Sequence, residues 1–242
     1  MSEPIENMIL WADETLLAVN KPAGLLALPD GYDPGAPHLR SVLEPSYGRL
    51  WTVHRLDRET SGVVVLARTA EAHRHLNTQF QERRVVKFYH ALVVGDPDWE
   101  TRTVDLPLRA DGDRQHRTVV DPVSGKPAAT RLRVLERFGR YTLVEAIPET
   151  GRTHQARVHL REAGAPIVCD PLYGDGASVF SSVIDPGVGK GSESDRLLLG
   201  RLGLHAWSLE VEHPVTQDRL ILHASYPEDL ESTIQRLRLF NS

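Results

Sequence analysis

The chain has 242 residues, 40% of them apolar and 25% charged, with a net charge of −5. This is the composition of a globular protein of one large or two small domains, and it contains no run of about 18 apolar residues that would form a helical membrane span. The acidic balance argues against broad nucleic-acid binding, because phosphate contacts require Lys and Arg. Local excesses of base do exist. Residues 68–87 hold five bases against two acids, and residues 109–133 hold six against three. Either stretch reads equally as an ordinary solvated face. Residues 1–7 carry two glutamates and no basic run, so no secretory leader is expected. A single cysteine, Cys169, leaves no partner for an intrachain disulfide and fits a reducing, cytoplasmic setting.

In chain order, Ile9–Trp11 and Leu16–Val19 read as short strands around a turn at Asp13-Glu14. Residues 29–37 form a loop rich in Gly, Pro and Asp. The β-branched run Val63-Val64-Val65 marks a buried strand at 62–67. Thr69 is placed to cap a helix running to about Arg83, with Ala72, Leu76 and Phe80 facing the core. The next strand, 86–94, has a period of two that puts Phe88, His90 and Leu92 on one face and Lys87, Tyr89 and Ala91 on the other. Further strands are predicted near 103–108, 118–121, 129–136 and 141–147. A helix is predicted from about Thr153 to Gly164, where glycine can take the left-handed conformation of a helix stop. The polar, glycine-rich stretch 175–203 reads as a surface excursion, mobile or functional. A strand pair at 205–211 and 219–224 precedes a last helix from about Pro227, with Leu230, Ile234 and Leu237 on its core face. Many strands and few helices imply an α+β fold on a largely antiparallel sheet. No linker interrupts the chain, so a single domain over 1–242 is expected.

Several chemical motifs are absent. His154 and His159 are five apart, not the four of a His-Glu-x-x-His zinc site. There is no Cys-x-x-Cys and no Gly-x-Ser-x-Gly elbow. Gly189-Lys190-Gly191-Ser192 lacks the first glycine and the Lys-Ser adjacency of a phosphate loop. Two constellations remain. Asp57 lies in a loop between Arg55 and Arg58, and a carboxylate beside guanidinium groups is a usable nucleophile or base. On spacing alone a structural turn cap or ion pair is favoured over catalysis for Asp57. His154, Arg157 and Arg161 share one face of the predicted helix, which suits phosphate or carboxylate recognition or simply a solvated face.

The segment His54-Arg55-Leu56-Asp57-Arg58-Glu59-Thr60-Ser61-Gly62 resembles the catalytic signature of the RluA-type pseudouridine synthases. Four other segments resemble motifs of the same family in the same order. They are Asn20-Lys21-Pro22-Ala23-Gly24, Lys87-Phe88-Tyr89, the run from Thr150 to Leu160 with Gly164 to Gly174, and Leu204-His205-Ala206 with His213-Pro214. Together they cover about residues 8–226. Ala156 stands where the family often has Ile or Leu, and Cys169 where it often has Gly.

The resemblance implies a mixed, mostly antiparallel sheet with a central catalytic cleft. The reaction it implies is isomerisation of uridine to pseudouridine in RNA, without cofactor or metal. Asp57 would be the nucleophile or base on a flipped-out uridine. Arg157 would pair with the catalytic aspartate, and Tyr89 would stack on the uracil or relay the C5 proton. Leu204 would wall the base, and Arg55 would fill the gap left by the base or touch phosphate. His54 and His205 are given structural roles only. Some relatives carry an N-terminal S4 RNA-binding domain. With about seven residues before the first strand here, RNA recognition is expected from the catalytic domain itself. The expected partner is a ribosomal or transfer RNA stem-loop, and the expected state is a cytoplasmic monomer with no membrane association. The competing readings are a catalytically inactive RNA-binding module of the same fold, a nucleic-acid glycosidase, and a phosphate-binding enzyme built on the arginine helix.

Overall fold

The computed structural model describes residues 5–31 and 33–240. One helical turn, α1 (Ile5–Met8), leads into β1 (Ile9–Ala12) and β2 (Leu16–Lys21). Asp13 turns the chain between these strands, its Oδ1 accepting the Thr15 and Leu16 amides at 2.7 and 2.9 Å. Next come α2 (Leu39–Tyr47), β3 (Trp51–Thr52), β4 (Ser61–Ala67), α3 (Ala70–Gln81) and β5 (Val86–Val94). The middle of the chain forms β6 (Thr101–Asp105), β7 (Leu108–Arg109), β8 (Val119–Val120), β9 (Ala129–Phe138) and β10 (Tyr141–Pro148). It ends with α4 (Gln155–Glu162), β11 (Val179–Phe180), α5 (Ser181–Ile184), β12 (Leu197–Leu199), β13 (Leu204–Glu212), β14 (Arg219–His223) and α6 (Glu228–Phe240). No helix of the described residues is long and apolar enough to cross a membrane.

The chain divides into two compact units. Residues 5–88 and 205–225 make the first, in which the strand order is β1-β2-β4-β13, with β14 paired to β13 and β3 to β4. The pairing of β4 with β13 is parallel, and the others in this unit are antiparallel. All seven residues of β4 are buried, as its β-branched run predicts. Val63 and Val65 pack with Leu16, Leu209, Val211 and Leu222, and α3 adds Ala72 and Leu76. Thr69 caps α3 by accepting the Ala72 amide at 3.1 Å.

Residues 89–204 and 226–240 make the second unit, in which β5-β10-β9-β6 run antiparallel throughout. Leu160 and Ala163, at the end of α4, pack with Ala91, Val93, Leu132 and Val144. On the other side, α6 brings Leu230, Ile234 and Leu237 against Leu92, Phe138 and Leu143. Each buried Leu, Ile, Val or Phe side chain contributes about 1.5–3 kcal/mol. The alternation expected in β5 is present: Tyr89 and Ala91 belong to the first of these clusters and Leu92 to the second.

Two parts of the chain differ from the sequence expectations. The helix α2 was not predicted, because Pro45 lies inside it and its cap is His38. His38 Nδ1 accepts the Ser41 amide while the Ser41 hydroxyl accepts the His38 amide, a capping box built from an unusual residue. The stretch 175–203 is not a structureless excursion. It holds the β11–β12 hairpin and α5, and Val179, Ile184 and Leu199 are buried against α6. Asp195 ties it together by accepting the Ser182 amide at 2.9 Å and the Gly191 amide at 2.8 Å.

Gly62 has a φ of +117°, and a Cβ there would lie 2.2 Å from the Ala206 carbonyl oxygen of the neighbouring parallel strand. Neither the backbone conformation nor the strand spacing admits a side chain. Gly62→Ala is expected to lower stability by about 3 kcal/mol, read as a fall in the urea midpoint at unchanged m-value. An unshifted midpoint would contradict the close strand approach.

Candidate active site

The loop between β3 and β4 carries Arg55 and Asp57, and it is fixed at several points within the first unit. Lys21 is fully buried at the end of β2. Its ammonium donates to the carbonyls of Pro22 at 2.9 Å, Leu25 at 2.8 Å and Arg58 at 3.0 Å. The Gly24 amide donates to the same Arg58 carbonyl at 2.8 Å, and Arg58 Nε returns a bond to the Gly24 carbonyl at 3.1 Å. The segment Asn20–Gly24 is thus a clamp on the residue next to Asp57. The Thr60 amide closes a turn onto the Asp57 carbonyl at 3.1 Å, and Leu56 is buried beneath. Arg55 is exposed and Asp57 half-buried.

His54 anchors the other side of the loop. Its Nε2 accepts the Val65 amide at 2.9 Å, and its ring stacks on Phe80 with centroids 4.7 Å apart. Burial pushes its pKa down to about 3, helped by the charge of Lys87. The ring is therefore neutral, and it serves structure as expected. His205 does likewise. Its Nε2 donates to the Ala224 carbonyl at 3.1 Å, so Nδ1 accepts from the Ser61 hydroxyl at 2.9 Å.

The second unit positions Tyr89, Arg157 and Leu204. Tyr89 begins the part of β5 that belongs to this unit and packs, with Leu204, against one apolar cluster. Leu160 of α4 belongs to that cluster too, three residues from Arg157. Arg157 itself is buried, and Asp170 holds its guanidinium in a two-point grip: Nε to Oδ2 at 2.8 Å and Nη2 to Oδ1 at 2.7 Å. Burial works to raise the Asp170 pKa, but the guanidinium and the Leu172 and Tyr173 amides outweigh it, and the net shift is downward. The Arg157 guanidinium also lies 5.0 Å from the centre of the Tyr173 ring. The Tyr173 hydroxyl accepts the Thr118 amide at 2.9 Å and bonds His154 Nδ1 at 2.9 Å. The expected basic helix face is not formed. Residues 155–160 are all buried, Arg161 alone of the three points fully to solvent, and His154 sits before the helix with a φ of +54°. Asp170 and Tyr173 lie in the Gly164 to Gly174 segment, for which the family resemblance implies no site role. Their signal was the acid of Asp170-Pro171-Leu172-Tyr173-Gly174, thirteen residues beyond an arginine with no acid on its own helix face.

Other suspected groups have structural partners. His159 bonds Thr130 Oγ1 and donates to the Leu106 carbonyl, and burial lowers its pKa. Cys169 is buried, donates to the Leu199 carbonyl, and its thiol is pushed up to about 11 by burial. Its φ of +58° accounts for the glycine expected there. Much of the basic charge is paired internally, as in Arg109–Asp121, Arg117–Asp113, Arg131–Glu149 and Arg133–Glu145. Among the described residues no group of three His, Cys, Asp or Glu is arranged to hold a metal ion.

The family model described as RNA pseudouridylate synthase matches residues 15–162, a span that includes the Lys21 clamp, the Asp57 loop and Arg157. The chain belongs to this family. The relatives place it in the RluA type. Ribosomal large subunit pseudouridine synthase C of Vibrio cholerae is 38% identical over 97% of this chain and 70% of that protein. Ribosomal large subunit pseudouridine synthase D of Pseudomonas aeruginosa is 37% identical over 98% of this chain and 74% of that protein. Among solved structures, human RNA pseudouridylate synthase domain containing 4 superposes with a TM-score of 0.75 at 28% identity, covering 97% of this chain and 94% of that one. This chain is an RNA pseudouridine synthase, an isomerase whose substrate is RNA.

Two measurements check the packing around the synthase residues. The folded pKa of His54 lies below its ordinary value of 6.5, so the unfolded chain takes up the proton first. Its contribution to stability is whole above pH 6.5 and declines as pH falls toward 3. Denaturation midpoints of His54→Gln should fall less steeply across that window than those of the wild type; parallel profiles would refute a neutral His54. Asp170→Ala removes the two-point grip on the buried Arg157 guanidinium and is expected to lower stability by about 3–5 kcal/mol, measured by urea unfolding.

Proposed function

We propose that this synthase isomerises uridine in ribosomal RNA, with Asp57 as the residue that attacks the nucleoside. The observation that carries the reading is the Asp57 loop, clamped at Arg58 by Lys21 and Gly24 and stacked at His54 on Phe80. A reacting carboxylate gains from such preorganisation, since misplacement by about 1 Å costs as much as 10²-fold in rate. The names of the bacterial relatives support ribosomal RNA as the substrate class.

The bond between C1′ and N1 breaks, the uracil turns, and C5 joins C1′. The C5 proton then leaves and N1 gains one. Asp57 serves this sequence either by forming an ester at C1′ or by removing the C2′ proton to give a glycal, and both roles require the ionised carboxylate. Arg157 holds that charge in position. Tyr89 stacks on the uracil and accepts or relays the C5 proton. Leu204 supplies apolar wall to the base, and Arg55 fills the place of the flipped base or meets phosphate. Flipping costs a few kcal/mol and is cheapest in a loop, so a stem-loop is the favoured target.

Pseudouridine mapping across the transcriptome, in cells with and without the gene, tests this. The expected result is one or a few ribosomal sites lost on deletion, restored by the wild type and not by Asp57→Ala. The purified variant should lose at least about 10²–10⁴-fold in rate with its thermal midpoint retained. Full rescue by Asp57→Ala would reject Asp57 as the attacking group.

A further inference from the structure

Residues 107–127 form an excursion whose construction the chemistry at Asp57 does not require. The short ladder β7–β8 carries a tight turn at 121–126, closed back onto β7 by the Lys126 amide to the Leu108 carbonyl at 2.8 Å and the Leu108 amide to the Lys126 carbonyl at 2.9 Å. Asp121 builds that turn. Its Oδ1 accepts the Val123 and Ser124 amides at 3.0 and 2.9 Å, and its carbonyl accepts the Gly125 amide at 2.9 Å. A Cβ on Gly125 would lie 2.3 Å from the Asp121 carbonyl oxygen and 2.8 Å from the Pro107 carbonyl carbon, so the turn is pressed flat on its base. The excursion is also fastened below: the Thr118 amide to the Tyr173 hydroxyl, and Arg117 Nη1 to the Leu172 carbonyl at 3.0 Å.

What this rigid frame presents outward is two-sided in chemistry. Val123 is 93% exposed, held out by a turn that fixes its backbone. Lys126 is exposed beside it, and Arg152 reaches the same turn through Nε to the Pro127 carbonyl at 3.2 Å. Neighbouring Arg109 and Arg117 are held by Asp121 and Asp113. Neither Lys126 nor Arg152 has a carboxylate partner among the described ion pairs. A projecting apolar side chain next to unneutralised cations suits a partner that alternates anionic and apolar surface, as ribose-phosphate backbone does.

We propose that the 107–127 excursion is a docking arm for the backbone of the substrate RNA. Lys126 and Arg152 meet phosphates, and Val123 packs on ribose or a base. The inference rests on RNA being the substrate and not on which residues perform the isomerisation. It makes the arm a source of affinity separate from the chemistry, so its loss acts on KM and salt dependence.

The test uses total RNA from cells lacking the gene as both binding probe and substrate, so it does not depend on which RNA carries the target. The variants are Lys126→Ala with Arg152→Ala, Val123→Asp, and the control Lys190→Ala in the exposed 185–195 loop. For the double variant, the slope of log affinity against log salt should become shallower by about 1.4–1.8, the effect of two lost phosphate contacts. Its KM should rise by about tenfold while kcat stays within about twofold. Val123→Asp should raise KM with kcat likewise within about twofold, and the control should match the wild type, all at unchanged thermal midpoints. Unchanged KM and salt slope in the double variant would overturn the proposal. So would a fall in kcat at unchanged KM.

Discussion

The Asp57 loop depends on one buried cation. An ammonium taken out of water loses several kcal/mol of hydration unless its donors are matched, and Lys21 meets this by reaching the Pro22, Leu25 and Arg58 carbonyls. A hydrogen-bonding carbonyl is a directional target, so the lysine does more than neutralise a void. It links the end of β2 to the residue following Asp57. Arg58 answers by bonding the Gly24 carbonyl, which makes the link reciprocal. The same loop is held on its other side by a histidine whose neutrality lets Nε2 accept a backbone amide. Asp57 is thus carried by a loop tied on both sides to the strands around it.

The second unit uses charge in a similar way. Arg157 is gripped at two points by Asp170 and lies over the Tyr173 ring, so its guanidinium plane is set before any substrate arrives. Arginine suits this because its planar fork matches a carboxylate and its face stacks on an aromatic ring. The wider pattern reconciles a net charge of −5 with an RNA substrate. Bases that look like a patch in sequence, such as Arg109, Arg117, Arg131 and Arg133, are joined to acids in the fold. Among the cations with no carboxylate partner in the described ion pairs are Lys126 and Arg152, and Arg152 Nε bonds the carbonyl of Pro127, the residue next to Lys126.

Local sequence made most elements legible. β5 runs over the predicted residues, and Thr69, Leu76, Leu230, Ile234 and Leu237 serve as their spacing implies. These are short-range effects: side-chain periodicity and a cap act within one or two turns of chain. The helix α2 was hidden because its internal proline and histidine cap both run against the usual signals. The hairpin in 175–203 was hidden because what stabilises it lies elsewhere, in the packing of Val179 and Leu199 against α6.

By itself, the sequence determined the family, the α+β class and the place of Asp57 in its nine-residue segment, because residue types in fixed local order carry that information. Only the tertiary structure decided how charges are spent. Lys21 and Arg58 are 37 positions apart and Arg157 and Asp170 are 13 apart, and nothing in local order tells which carbonyl or carboxylate a cation will find. Ion pairing depends on distance in space and on burial, which sets the dielectric that makes a pair strong. That is why the predicted basic helix face became a buried grip on Asp170, and why exposed Lys126 and half-buried Arg152, which bonds the Pro127 carbonyl, come together only in the folded chain.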